Sequence, residues 1–201
     1  MTKLTTRILP LGVMLALISG CTSVTSNLAP EMKTARSDRV YACHGFNCTF
    51  KTRVDITSAD ADAFASFFAN ADSPAAEREG IARAIAYFEE KSAAAIGVRD
   101  GPKSTLVQSG AKGQMDCIDE STNTRSMMMH LAARGLITRH TVEMNVSRGF
   151  LLDARYFHST GVIRDESGKR WAVDSWYEPA GGRPDIMPLD EWMTRGVMGE
   201  R

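Results

Sequence analysis

The residue pattern predicts an α+β fold, and three observations carry that prediction. Apolar residues recur at helical spacing in three segments between residues 58 and 135. Alternation with a period of two appears in residues 49–56 and dominates after residue 136. The two patterns are segregated along the chain, with helices gathered ahead of the sheet. The 201 residues, 43% of them hydrophobic, suit one medium-sized domain, assigned to residues 39–201. The 24 basic and 24 acidic side chains cancel, which argues against a nucleic-acid partner, since phosphate binding needs a basic surplus.

The first twenty residues stand apart from that domain. Lys3 and Arg7 precede an apolar run over residues 8–18, too short to cross a bilayer as a helix. Ile18-Ser19-Gly20-Cys21 resembles a bacterial lipobox, which implies cleavage before Cys21 and lipidation of its thiol. A plain signal peptide or an N-terminal helix is the alternative. Thr22 follows, where an Asp in similar lipoproteins goes with inner-membrane retention; the resemblance therefore implies the periplasmic side of an envelope, at the outer membrane. Residues 21–38, rich in Ser, Thr, Asn and Ala, read as a flexible tether.

Within the domain, residues 49–56 alternate, with Phe50, Thr52, Val54 and Ile56 on the inward side of a half-buried strand. A helix opens at Ser58 and runs to about residue 69, with Phe64, Phe67 and Phe68 as core. Ser73-Pro74 is the order of an N-cap and first helical residue. It starts a second helix, buried through Ile81, Ile85 and Phe88 and ended by Gly97. Its charged residues, Glu77 and Glu89 among them, are expected on the solvated side. Residues 98–113 read as loop, either a connector or one wall of a groove. Asp116 is a good N-cap, and Asp119 stands where a capping-box acid belongs. The helix so started carries Met128, Leu131, Ala132 and Gly135 on one stripe, with Gly135 at its left-handed end. Residues 137–146 alternate as a strand, with Val142, Met144 and Val146 on one face. Residues 157–164 and 169–176 form a hairpin about an Asp/Gly turn. The Pro- and Gly-rich tail is irregular, apart from a helical turn at residues 190–193, and Trp192 is placed to anchor it.

Cys117 would be the first residue of its helix, where the dipole and open N–H groups favour thiolate. A small buried hydrophobe is the bland alternative. Three other cysteines bear on the choice. Lipidation consumes Cys21. In an oxidising compartment Cys43 and Cys48, five apart, can close a disulfide loop. Cys117 is then left alone, as a reactive thiol would be. A metal site from Cys43, His44 and Cys48 is the rival, and it lacks a fourth ligand. Nucleophilic catalysis also needs a base and a group to orient it. His158 and Asp174 meet on one face if the hairpin loop is an odd one, residues 166–168 with Gly168 left-handed. A four-residue loop would put them on opposite faces.

Asp116-Cys117-Ile118-Asp119, the helix ending Leu131-Ala132-Ala133-Arg134-Gly135, and His158 with Asp174 on consecutive strands together resemble bacterial transglutaminase-like cysteine peptidases. The resemblance spans residues 112–178. It implies a papain-like core, with the nucleophile helix packed on an antiparallel sheet. It makes Cys117 the nucleophile, His158 the general base and Asp174 its orienting group. Gln114 becomes an oxyanion donor beside the Cys117 N–H, and Trp176 a groove wall, unless Trp176 is simply core. The chain departs from the family at Met115, where Gly is usual, and at Glu120, where an aromatic is common. Asp116, Asp119 and Glu120 also crowd the sulfur and oppose a thiolate. The implied substrate is an amide in an envelope protein or peptidoglycan peptide, with no cofactor and no metal. A binding module on the same fold, and a redox role in which Cys117 exchanges with Cys43 or Cys48, are the other readings. Of the remaining histidines, His130 reads as structural, His44 lies in the Cys43–Cys48 loop, and His140 is a rival base without an acid at hairpin spacing.

Overall fold

The computed structural model describes residues 38–103, 106–149 and 157–195. The expectations for residues 1–37, Cys21 included, lie outside the described residues.

The described chain opens with an unexpected strand, β1 (Arg39–His44), which pairs antiparallel with β2 (Phe50–Asp55). Val40, Ala42 and Val54 turn into the core. Phe50 does not. It sits at the strand end opposite His44, stacked on that ring with centroids 5.4 Å apart and 41% exposed. Helix α1 (Ser58–Phe67) is capped by Thr57, whose hydroxyl accepts the Asp60 N–H while the Asp60 carboxylate accepts the Thr57 N–H. It ends two residues short of the expected boundary. Phe64 and Phe68 are buried, and Phe67 is half-buried.

Helix α2 (Pro74–Ile96) has the expected Ser73 cap and a left-handed Gly97 at φ +82°. Ile81, Ile85 and Phe88 are buried as the spacing requires. The assignment of Glu77 and Glu89 to a solvated face is wrong, because both are buried. The segment after the next helix folds over Glu77 and supplies it with the backbone N–H groups of Thr138 and Arg139. Helix α3 (Cys117–Ala133) follows the loop, which holds a 3-10 turn at Leu106–Gln108. Met127, Met128 and Leu131 are fully buried. Gly135 is left-handed at φ +71° and exposed, so the buried stripe stops before it.

The expected single strand over residues 137–146 is two strands, β3 (His140–Val142) and β4 (Val146–Arg148). Both pair with β5 (His158–Asp165). Val142 faces Ile163 and Val146 faces Thr160, so three residues of one strand oppose two of the other. This is a β-bulge, and it breaks the alternation that placed Met144 inside; Met144 is 43% exposed. β6 (Arg170–Asp174) returns beside β5, and β7 (Asp185–Pro188) pairs with β6, where an irregular tail was expected. Helix α4 (Leu189–Thr194) closes the described chain.

The fold is thus α+β, with helices on a fully antiparallel sheet of order β3-β5-β6-β7. Successive residues of β5 and β6 face opposite ways. Ile163 and Val173 join the core formed by β1, β2, α1, α2 and α3; Val162 and Ala172 join Met187, Leu189 and Trp192 on the other side. Gly161 lets α3 approach closely: a Cβ there would stand 3.0 Å from Met128 Cε and Thr124 Cγ2.

Candidate functional site

The first turn of α3 is capped from several directions. Asp116 Oδ1 accepts the N–H groups of Ile118 (3.0 Å) and Asp119 (2.8 Å), and the Asp116 carbonyl accepts the N–H of Glu120. Asp119 reaches back to the Asp116 N–H at 3.4 Å, completing the expected capping box. Among the described residues, this leaves the Cys117 N–H as the open donor of the turn. The same carboxylates are gripped from outside by the Cys43–Cys48 loop. Phe46 N–H and Cys48 N–H donate to Asp119 at 2.8 and 2.6 Å, and Asn47 N–H donates to Asp116 at 3.1 Å. The loop is closed by the Cys43–Cys48 disulfide. Burial, then Asp116, push the Asp119 carboxyl up to about 7, against the pull of those N–H groups.

Gly161 faces Val173 and Arg164 faces Arg170, a register in which His158, three residues before Gly161, counts to the position diagonal to Asp174. The loop is the odd one: Gly168, at φ +86°, donates its N–H to the Asp165 carbonyl, and the Asp165 N–H donates to the Lys169 carbonyl. His158 and Asp174 are therefore diagonal neighbours on one face, with His158 Nε2 donating to Asp174 Oδ2 at 2.7 Å. Trp192 Nε1 donates to the same oxygen at 2.7 Å, and the Trp176 N–H reaches Oδ1 at 3.3 Å. Since a carboxylate only accepts, the hydrogen-bonded tautomer of His158 carries its proton on Nε2. His158 Nδ1 is buried and has no hydrogen-bond partner among the described residues.

Cys117 and His158 share one aromatic enclosure. The thiol packs with Trp176, Tyr177, Ile118 and Phe157. The imidazole lies 4.7 Å from the Trp176 ring, 5.5 Å from Trp192 and 5.7 Å from Tyr177, centroid to centroid. Cys117 Sγ donates to the carbonyl of Phe157, the residue before His158, at 3.8 Å, rather than to the imidazole. Burial pushes the thiol up to about 12; the Ser159 N–H eases this, while Asp116 and Asp174 add to it. That is about 4 kcal/mol against the thiolate. A helix N-terminus returns about 1 kcal/mol. Burial therefore outweighs the dipole, and the resting sulfur is a thiol.

Trp176 is buried and at the same time walls this enclosure. Gln114 has its amide occupied elsewhere. Its nitrogen donates to the Arg99 carbonyl at 3.3 Å, and its oxygen accepts from Gln108 at 2.9 Å. His130 is buried against Phe64. His140 does have an acid, supplied by α2 rather than by its own hairpin: Nδ1 bonds Glu77 Oε1 at 2.8 Å. It faces Asp165 at the far end of β5, seven residues or about 23 Å from His158. His44 bonds Thr52 through Nε2 and accepts the Gly113 N–H on Nδ1. Cys43 Sγ, Cys48 Sγ and an Asp119 oxygen lie within 4.8 Å of one another, but the disulfide uses both sulfurs.

Several site residues were not found by sequence reasoning. The sequence marks Trp192 only as an anchor for the tail. Arg148, opposite His158, is buried with its guanidinium 4.3 Å over the Trp192 ring and bonded to the Tyr177 hydroxyl and the Trp192 carbonyl. Three residues after Cys117 on α3, Glu120 Oε2 accepts the Ser175 hydroxyl at 3.0 Å. Burial, then Glu89 and Asp100, hold the Glu120 carboxyl well above its usual range.

No protein-family model matches the chain, and no curated protein or solved structure matches it either.

Proposed function

We propose that this protein is a thiol enzyme that attacks amide carbonyls through Cys117, with His158 as base and Asp174 as its orienting group. The carrying observation is the buried 2.7 Å His158–Asp174 hydrogen bond, which leaves Nδ1 without a hydrogen-bond partner among the described residues, beside the aromatic side chains that also pack on Cys117. In this reading, rotation of the cysteine side chain brings Sγ from the Phe157 carbonyl to Nδ1. Because the resting sulfur is a thiol, His158 takes its proton as Sγ attacks, rather than maintaining an ion pair beforehand. The oxyanion is received by the open Cys117 N–H. The tetrahedral adduct collapses to a thioester as His158 returns the proton to the leaving amine. Water or a second amine then releases the acyl group. Arrangement of the nucleophile helix against the His/Asp hairpin supports a papain-like, transglutaminase-like core. The lipobox-like Ile18–Cys21 segment supports an envelope lipoprotein, and with it an envelope protein or peptidoglycan peptide as substrate.

A binding module is the second reading, favoured by the high thiol and by its bond to Phe157 rather than His158. Alkylation of Cys117 across pH, compared with His158→Ala, separates the two. The enzyme reading expects reaction at pH 6–7 and a loss of about 100-fold in His158→Ala, the scale of general-base assistance. Reaction only at strongly alkaline pH, indifferent to His158→Ala, leaves the binding module.

A further inference from the structure

We propose that the Cys43–Cys48 disulfide is a redox latch on the nucleophile helix: its reduction frees the loop and slackens the first turn of α3, and reoxidation restores both. The loop is wound in an unusual way. Gly45, Phe46, Asn47 and Cys48 are consecutively left-handed, at φ +84°, +68°, +52° and +53°. L-residues leave this region when free to do so. The winding makes successive N–H groups converge, here on the Asp119 and Asp116 carboxylates. The disulfide spans the wound residues. When it opens, the conformational preference of Phe46, Asn47 and Cys48 favours withdrawal of the three donors. Asp119 is then left with the 3.4 Å contact to Asp116 N–H.

The two cysteines are not equivalent. Cys43 is fully buried, and Asn123 binds both its N–H (2.7 Å) and its carbonyl (2.8 Å). Cys48 is half-buried and follows the exposed Asn47. A thiolate of a dithiol reductant therefore attacks Cys48 Sγ. The Cys43–Cys48 bond breaks, a mixed disulfide forms on Cys48, and Cys43 leaves as a thiolate and takes a proton. The second thiol of the reductant then attacks its own sulfur in the mixed disulfide and releases Cys48. Two electrons pass to the cysteine pair, and the dithiol becomes a disulfide. The latched end is anchored and the free end swings, so the change stays local to the α3 cap.

The latch itself stands on this geometry; its consequence for thiol chemistry rests on the function proposed above. The test is residue-resolved amide hydrogen exchange of the full chain, with and without dithiothreitol. Reduction is expected to speed exchange at Ile118, Asp119 and Glu120 at least tenfold and to leave Met127 to Leu131 unchanged. Unchanged exchange at 118–120 overturns the proposal. So does equal acceleration at 127–131, which would make the disulfide a staple of the whole fold. A second arm compares alkylation of Cys117 in the Cys43→Ser/Cys48→Ser chain with and without His158→Ala. The roughly 100-fold effect of His158→Ala in the oxidised chain is expected to fall below threefold, and its persistence overturns the latch. If His158→Ala has no effect in the oxidised chain, the enzyme reading has failed, and exchange at 118–120 alone decides the latch.

Discussion

Asp174 Oδ2 takes two buried donors, His158 Nε2 and Trp192 Nε1, so the tryptophan restrains the carboxylate that restrains the histidine. Trp192 is also fully buried among Val162, Ala172 and Met187. Two substitutions separate these roles. Trp192→Ala empties the site and is expected to cost about 3–5 kcal/mol. Trp192→Phe keeps most of the apolar burial and removes the N–H, at about 1.5–3 kcal/mol for the lost bond to a carboxylate. Urea unfolding reads both. If Trp192 positions Asp174, Trp192→Phe also alters the pH profile of Cys117 alkylation at temperatures where the variant is fully folded. An unchanged profile confines Trp192 to packing. Little of this was legible beforehand. Asp116 and Asp119 announce their cap because their partners lie two and three residues away. Trp192 and Asp174 are eighteen residues apart and meet only because β7, hidden in a Pro- and Gly-rich run, turns the chain back along β6.

At the scale of elements, the β5–β6 hairpin sets the register of the site, and its loop sets the register of the hairpin. Gly168 is left-handed at φ +86°, and a Cβ there would meet nothing within 4 Å. Gly168→Ala therefore pays for backbone conformation alone, about 1–2 kcal/mol. Gly168→Asn is expected to lose less, since Asn tolerates this region better. Thermal unfolding checks the order Gly, Asn, Ala. The reverse order would mean the loop abandons its three-residue form. This register was readable because turn chemistry is local: Asp165 Oδ1 accepts from Ser167 and Lys169 within the loop itself. The bulge between β3 and β4 was not, because nothing in Glu143-Met144-Asn145 marks the extra residue; it is seen only against β5. Glu77 was misassigned for a similar reason. Its spacing on α2 fits a solvated face, and the residues that bury it, Thr138 to His140, arrive after another whole helix.

Over the whole molecule, buried acids join the layers and make stability depend on pH. Glu89 comes from α2, Asp100 from the loop after it and Glu120 from α3. The segment after β6 contributes Ser175, and the Gly181 N–H donates to Glu89 Oε2 at 3.0 Å. Arg99, near them in sequence, pairs with Glu90 instead. Burial, opposed by the Gly181 N–H and reinforced by Asp100, pushes Glu89 up to about 8; burial and Glu89 raise Glu120 in turn. A carboxyl raised in the folded state keeps a proton that the unfolded chain loses near pH 4.5. Its contribution is full below that pH and is lost as pH rises towards 8, at up to about 1.4 kcal/mol per pH unit for one proton. Asp119, raised to about 7, adds the same sign. Asp60 and Glu77 act oppositely. Burial opposes their ionisation, but their hydrogen bonds overcome it and hold them below the usual carboxylate range, so they stabilise above about pH 4 and are lost under acid. Stability should therefore peak in mild acid and decline towards pH 8. Glu89→Gln keeps the shape of the protonated acid without its titration. Urea midpoints at pH 4, 6 and 8 are expected to fall less steeply in Glu89→Gln than in the parent, with the variant the more stable at pH 8. Parallel declines would show that another group carries the alkaline loss. The same cluster supports the turn of α3 that carries Cys117 and the segment that follows Asp174, so the predicted decline should loosen both sides of the site together.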